Sequence, residues 1–363
     1  MKTQSILLSV TALLLGTSAC VKAEPANTGL VIEARSDSMI WNAVAVEAGR
    51  VFVAGPRWTG AKGPQLAVLD RLKRPQAYPD AAWNDWRQGA DPSKAFVNIN
   101  AIHLDGSGGL WAVDTGSPTF GGDPLPGAAK LVRIDVRTGK VDRVIQFTQD
   151  VALPGSYIDD VRFHGAHAYL TDAGRPGLII VDLANGSARR VLNDHPAAVA
   201  RSDRPIVLDG EVIRSPDGQP LRVNSDPLEV SNDGQWLYFG PLEGPWSKVP
   251  TSLLDDDQTS SEALAAAVEP WADLPPVGGT AMAPDGSLFF SDLAQNAVKR
   301  RYPDGRIETI VSNQSLHWVD APFLEKSGKL WLPAAQMDRA ALFHNGKSQT
   351  VWPVTLYSVE TKK

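Results

Sequence analysis

The sequence predicts an all-β protein, a six-bladed β-propeller with four-stranded blades, on three observations. Short segments of alternating apolar residues fill the chain, bounded by Asp-Gly, Asn-Gly and Pro-Asp-Gly turns. A unit of polar opening, alternating strand, glycine turn and aromatic strand recurs six times. Only a few stretches carry a helical pattern.

The six units open at Asn42, Asn100, Asp159, Asp226, Thr280 and Asp320, 40 to 67 residues apart. Two and four places on stand apolar residues or proline, as in Ile102 and Leu104 or Val161 and Phe163, which share one strand face and can pack on a neighbouring blade. Second strands carry the bulky residues, among them Phe52, Trp111, Tyr169, Phe239, Phe290 and Trp331. Third strands are expected at residues 65–70, 130–135, 177–182, 247–250, 297–302 and 355–359. The strand at residues 29–34 has no unit of its own and is expected to complete the last blade, closing the ring. Residues 29–363 therefore read as one domain. Its long connections, 78–97, 195–224 with a hairpin around Ser215-Pro216-Asp217-Gly218, and 251–271 with a short helix at 261–268, are expected to build the channel mouth.

Length and composition agree: 363 residues with 43% hydrophobic content can bury a large core. At the N-terminus, Lys2 precedes an apolar run at 6–16, too short to span a bilayer, and then small residues, which is the pattern of an export signal. Two cleavage readings fit. Residues 1–19 form a lipoprotein signal with Cys20 lipidated, or residues 1–23 form a signal peptide cut after Ala23. The protein is then exported, as a periplasmic or outer-membrane lipoprotein or a secreted protein, touching a membrane only through the N-terminal lipid. Cys20 is the one cysteine, so the domain has no internal disulfide and no thiolate chemistry. The net charge of −6 argues against nucleic acid and suits a soluble exported protein that handles neutral or cationic small molecules; a monomer is expected.

Inner strands of a propeller open on its central channel, so the six unit openings should form a ring: Asn42, Asn100, Asp159, Asp226, Thr280 and Asp320. Three carboxylates facing one another in a low-dielectric funnel need a cation, a shared proton or hydrogen-bond donors. Proton transfer by Asp159, Asp226 or Asp320, capture of a cationic or aromatic ligand, and a divalent cation such as calcium on Asn100, Asp159 and Asp226 all answer that need. Asp159 and Asp160 are consecutive and face opposite sides of a strand; alternation selects Asp159, but a bulge would exchange them, so both are candidates. Trp58, Trp83, Trp86 and Trp318 lie in or beside connections and can stack on a ligand. His317 precedes Asp320 and is the histidine best placed for proton transfer. No Gly-x-Ser-x-Gly elbow, phosphate loop or dinucleotide fingerprint is present.

The wording of several stretches carries further information. Gly49-Arg-Val-Phe-Val-Ala-Gly-Pro-Arg-Trp58, Tyr78-Pro-Asp-Ala-Ala-Trp-Asn84, Gly109-Leu-Trp-Ala-Val-Asp-Thr-Gly116, Leu153-Pro-Gly-Ser-Tyr157 and Ala168-Tyr-Leu-Thr-Asp172 resemble the Yellow/major royal jelly family, including its bacterial members related to dopachrome tautomerase. The likeness runs from about Trp41 to Val359. It implies a six-bladed propeller and leaves the chemistry open between a tautomerase-like isomerase acting on a cyclic or quinonoid substrate and a non-catalytic binder. A more distant resemblance, to the metal-dependent gluconolactonases, implies a metal at the ring. Carried over, however, that group's metal-binding Asp falls on Thr280 and its Glu on Asn42, which weakens lactone hydrolysis.

Overall fold

A computed structural model describes residues 29–361. Six antiparallel four-stranded sheets follow one another along the chain, the first five with their strands in sequence order from the axis outward. The inner strands are Ala43–Glu47, Ile99–Leu104, Ile158–His164, Ser225–Val230, Val277–Met282 and Phe323–Leu324. Blades are numbered from the first of these. The outer strand of blade 6 is Val31–Ser36, paired antiparallel with the C-terminal strand Val354–Glu360. The ring thus closes through the two ends of the chain, as the unassigned N-terminal strand led us to expect. Cys20 and both cleavage sites lie outside the described residues, among which no helix is long and apolar enough to cross a membrane.

The bulky residues of the second strands fill the spaces between blades. Phe52 and Leu110, with Ile102 of the inner strand, pack between blades 1 and 2, Tyr169 and Phe239 between blades 3 and 4, and Phe289 and Leu330 between blades 5 and 6. Each is at most 4% exposed, and full burial of such a side chain stabilises by roughly 1.5–3 kcal/mol.

Two expectations shift in register. The fifth inner strand begins at Val277, three residues before Thr280, and the sixth is only the pair Phe323–Leu324. The first departure follows from the ladder. In blades 2 to 5 the first residue of the inner strand pairs with the end of the second strand, and the register then slips by a bulge: after Ile99, Ile158, Ser225 and Val277. The expected helix at 261–268 is Ser261–Ala266, its first turn capped by Ser260, which accepts from the Ala263 N–H at 3.2 Å. The long connection after blade 3 holds a small hairpin, Val207–Leu208 with Glu211–Val212, and then a turn at Ser215–Gly218 closed by a 2.8 Å hydrogen bond.

In blades 2 and 3 a repeated carboxylate fixes where the bulge begins. Asp114, ending the second strand of blade 2, accepts from the backbone N–H groups of Val97 (2.8 Å), Asn98 (2.9 Å) and Gly116 (3.0 Å) and pairs with Lys130 Nζ at 2.7 Å. Asp172 does the same in blade 3, accepting from Tyr157, Gly174 and Arg175 and pairing with Arg190 at 2.7 Å. Both the Asp114 and Lys130 side chains are fully buried, and the remaining Lys130 donors reach the carbonyls of Pro92, Ala95 and Ala128. Removing one member of such a pair leaves an uncompensated buried charge. Asp114→Ala is expected to lower the unfolding free energy by about 3–5 kcal/mol in urea or guanidinium titrations; a loss below about 1 kcal/mol would mean that the pair does not hold the loop.

Candidate functional site

The bulges set the chemistry at the axis. A bulge leaves residues outside the ladder and re-aims their side chains. Here the unpaired position is filled by Asn100 in blade 2, Asp159 in blade 3, Asp226 in blade 4 and Gly278 in blade 5, and Asp320, just before the last inner strand, joins them. All five line a cavity of about 280 Å³ at one mouth of the channel.

Thr280 is not in this group. Two residues farther along its strand, it donates to Glu229 Oε1 at 2.9 Å and lines a separate cavity with His103 and Arg162. The blade 5 position in the ring is Gly278, which brings no side chain. Asn42 lines neither cavity; it is buried and ties blade 1 to blade 2 by donating from Nδ2 to the Asn100 carbonyl at 2.8 Å. Asp160, the second bulge residue of blade 3, turns to Arg162 at 2.8 Å, and Arg162 reaches Glu229 at 2.9 Å. Asp159 is therefore the acid of the pair that faces the mouth cavity.

Asn100 Nδ2 donates to Asp159 Oδ1, and Asn100 Oδ1 accepts from the Tyr157 hydroxyl at 2.8 Å. Tyr157 accepts in turn from Trp58 Nε1 at 2.9 Å. A chain of hydrogen bonds thus runs from the cavity wall to the acid. Over it stands an aromatic cluster: Phe120 lies 4.9 Å from Trp58, 5.5 Å from Tyr157 and 5.9 Å from Phe343, measured between ring centres. Trp318 completes the wall. Its backbone is held in the left-handed region, φ 49°, a strained setting for a bulky residue of the kind found at functional sites. From there its indole N–H donates to Asp320 at 3.2 Å.

His317 does not line the cavity. It is buried behind Trp318, with Nε2 2.8 Å from Asp338 and Nδ1 3.4 Å from Asp209 of the small hairpin, so it braces the strained residue. Trp83 and Trp86 anchor the connection after blade 1, Trp83 against Phe96 and Trp86 in a cluster with Val97. Tyr157, Phe120 and Phe343 were missed in the sequence reading. Only Tyr157 left a signal there, as the end of the Leu153-Pro-Gly-Ser-Tyr157 stretch.

Burial raises the Asp159 carboxyl to about 8, against which its hydrogen bond with Asp226 acts. Asp226 is raised well above the carboxylate range by burial and by the nearby charges of Asp159 and Asp320, and Asp320 by burial and by Asp159. Near neutral pH the ring is held by shared protons. The residues do not fit a metal ion. The Asn100 side-chain Oδ1 already accepts from the Tyr157 hydroxyl, blade 5 offers glycine, and among the described residues no group of three or more His, Cys, Asp or Glu side chains is arranged to hold one.

The pH dependence of stability follows. Above about pH 4 the unfolded chain releases protons that the folded ring keeps, so this contribution is full at low pH and is lost as pH rises through about 8. Asp226→Asn removes one ionising group from the ring. It is expected to melt higher than the parent at pH 8.5, with the difference shrinking toward pH 5. Equal differences at both pH values would mean that Asp226 is ionised in the folded protein.

Comparison with known proteins yields a family. The family model described as major royal jelly protein matches residues 98–362. Among solved structures, a streptogramin B lyase is 11% identical and aligns over 91% of this chain and 97% of its own, with a TM-score of 0.48. A virginiamycin B lyase from Staphylococcus aureus is also 11% identical, aligning over 91% and 98%, with a TM-score of 0.49. No curated protein matches the sequence.

Proposed function

The chain belongs to the major royal jelly protein family, and from that premise and the ring geometry we propose that its mouth cavity binds a small cyclic molecule and moves a proton between two of its atoms, a tautomerase-like isomerisation. One observation carries this reading: the buried carboxyls of Asp159 and Asp226 lie together on the floor of an aromatic-lined cavity, where burial raises both. A general acid and a general base are most effective when their pKa values lie near the working pH; when Asp159 gives up its proton, near pH 8, Asp226 still holds its own, and the pair then provides one of each. The ligand loses a proton to Asp159 as one of its bonds to hydrogen breaks, and gains the proton of Asp226 as another forms. The ligand leaves as an isomer. Transfer across the Asp159–Asp226 hydrogen bond then restores the starting state, and no oxidant or reductant is consumed.

Trp58, Phe120 and Phe343 would hold the planar body of the ligand and exclude water, and Tyr157 would keep Asn100 turned so that its N–H supports Asp159. Lactone hydrolysis recedes as the alternative, since it calls for an activated water on a metal and the ring offers no such site. The export signal supports work outside the cytoplasm, and we take the exported protein to act as a monomer.

The test is turnover of a panel of enolisable and quinonoid ring compounds, followed by absorbance. Asp159→Asn and Asp226→Asn are each expected to lower kcat by roughly 10²–10⁴-fold, while chelator leaves it unchanged and the rate climbs as pH rises toward about 8, where Asp159 ionises and can act as the base. Unchanged turnover in both variants would exclude the ring as the proton carrier. Binding heats with organic amines and no turnover of any compound would favour a non-catalytic binder.

A further inference from the structure

Among the residues lining the mouth cavity, Arg222 is the single lysine or arginine. It lies on the segment between the long connection and blade 4, whose neighbours Leu221 and Val223 are buried and line the same wall. The segment is fixed from both sides. The Leu221 N–H donates to the Ile213 carbonyl at 2.8 Å, and the Val223 carbonyl accepts from Leu242 at 3.2 Å.

The guanidinium of Arg222 is exposed and makes no hydrogen bond or ion pair among the described residues. Neighbouring arginines behave otherwise. Arg204 pairs with Asp273 at 2.8 Å and donates to the carbonyls of Glu243 and Leu274, and Arg190 pairs with Asp172. The carboxylate whose charge is felt together with that of Arg222 is Glu243. It is 1% exposed, and neither of its oxygens has a hydrogen-bond partner. Burial raises it to about 7, so near neutral pH it is partly protonated and does not cancel the arginine. Below, the ring acids are held neutral for the same reason. The cavity therefore presents a cation at its mouth, apolar aromatic walls and an uncharged floor of hydrogen-bonding groups, although the chain as a whole is acidic.

We propose that the cavity selects organic anions: a planar cyclic carboxylate whose charged group pairs with Arg222 at the mouth while its ring enters the Trp58, Phe120 and Phe343 cluster above Asp159. This deepens the proton-transfer reading and rests on the same cavity. A guanidinium meets a carboxylate through two parallel N–H donors, which fixes the orientation of the ligand as well as its charge. It also reverses the sign expected from composition, which pointed to neutral or cationic ligands.

Calorimetry with matched pairs tests it: 2-naphthoate against 2-naphthamide, and cinnamate against cinnamamide. In the parent protein each acid is expected to bind about tenfold more tightly than its amide, in line with one charge-assisted pair. Arg222→Gln is expected to remove that preference while the amide changes less than twofold, and Arg222→Lys to restore part of it. Equal affinities for acid and amide in the parent, failure of both acids to bind, or equal weakening of acid and amide in Arg222→Gln would each overturn the proposal. The Asp159→Asn protein separates this from the function above. An acid preference that persists while ring variants leave turnover intact keeps the anion site and removes proton transfer. A loss of turnover in the ring variants, with no change of KM in Arg222→Gln, does the reverse.

Discussion

The axial side chains of blades 2 and 3, Asn100 and Asp159, depend on the buried carboxylates that end the second strands of those blades. Asp114 and Asp172 each gather the backbone N–H groups of the incoming loop and neutralise a basic side chain from the same blade. A buried charge is costly unless fully paired, so the loop has one acceptable path, and the inner strand must begin where that path ends. The bulge follows immediately, and the ring side chain stands on it. Position at the axis is thus set by a salt bridge one strand away, in a place that no ligand touches.

Blade number, strand order and closure by the two chain ends were legible because they rest on period-two alternation and glycine turns, which are local. Asp159, Asp226 and Asp320 were legible because a propeller brings unit openings together. Gly278 was not. Counting from apolar alternation selects Thr280, and nothing in one strand announces a bulge that moves the axial position two residues back. Phe120, Phe343 and Arg222 were illegible for a different reason: they come from irregular connections, where sequence patterns carry no facing. The Asp-x-Gly of Asp114-Thr-Gly116 and Asp172-Ala-Gly174 was in plain view as a repeated turn, and its part in holding a buried cation became clear only from the partners.

The cavity combines groups that would be mismatched in water. Acids lie beneath aromatic rings, and an arginine lies beside a glutamate that does not pair with it. The common cause is dehydration. Burial raises Asp159, Asp226, Asp320 and Glu243 together, so that the acids act as hydrogen-bonding groups and the field of the site is left to the single cation. Trp318, strained in its backbone and with its neighbour His317 held by Asp338, donates its indole N–H to the third acid.

Closure of the ring by Val31–Ser36 on Val354–Glu360 also governs how the chain can be made. The first described strand waits for the last one, so during synthesis five blades can assemble while the sixth exposes unpaired edges. The propeller becomes a closed body in a single late event that joins residues more than three hundred positions apart. Any chain that stops short of that strand is left with an open seam, and is distinguished from the finished protein by a free β-edge rather than by a missing site.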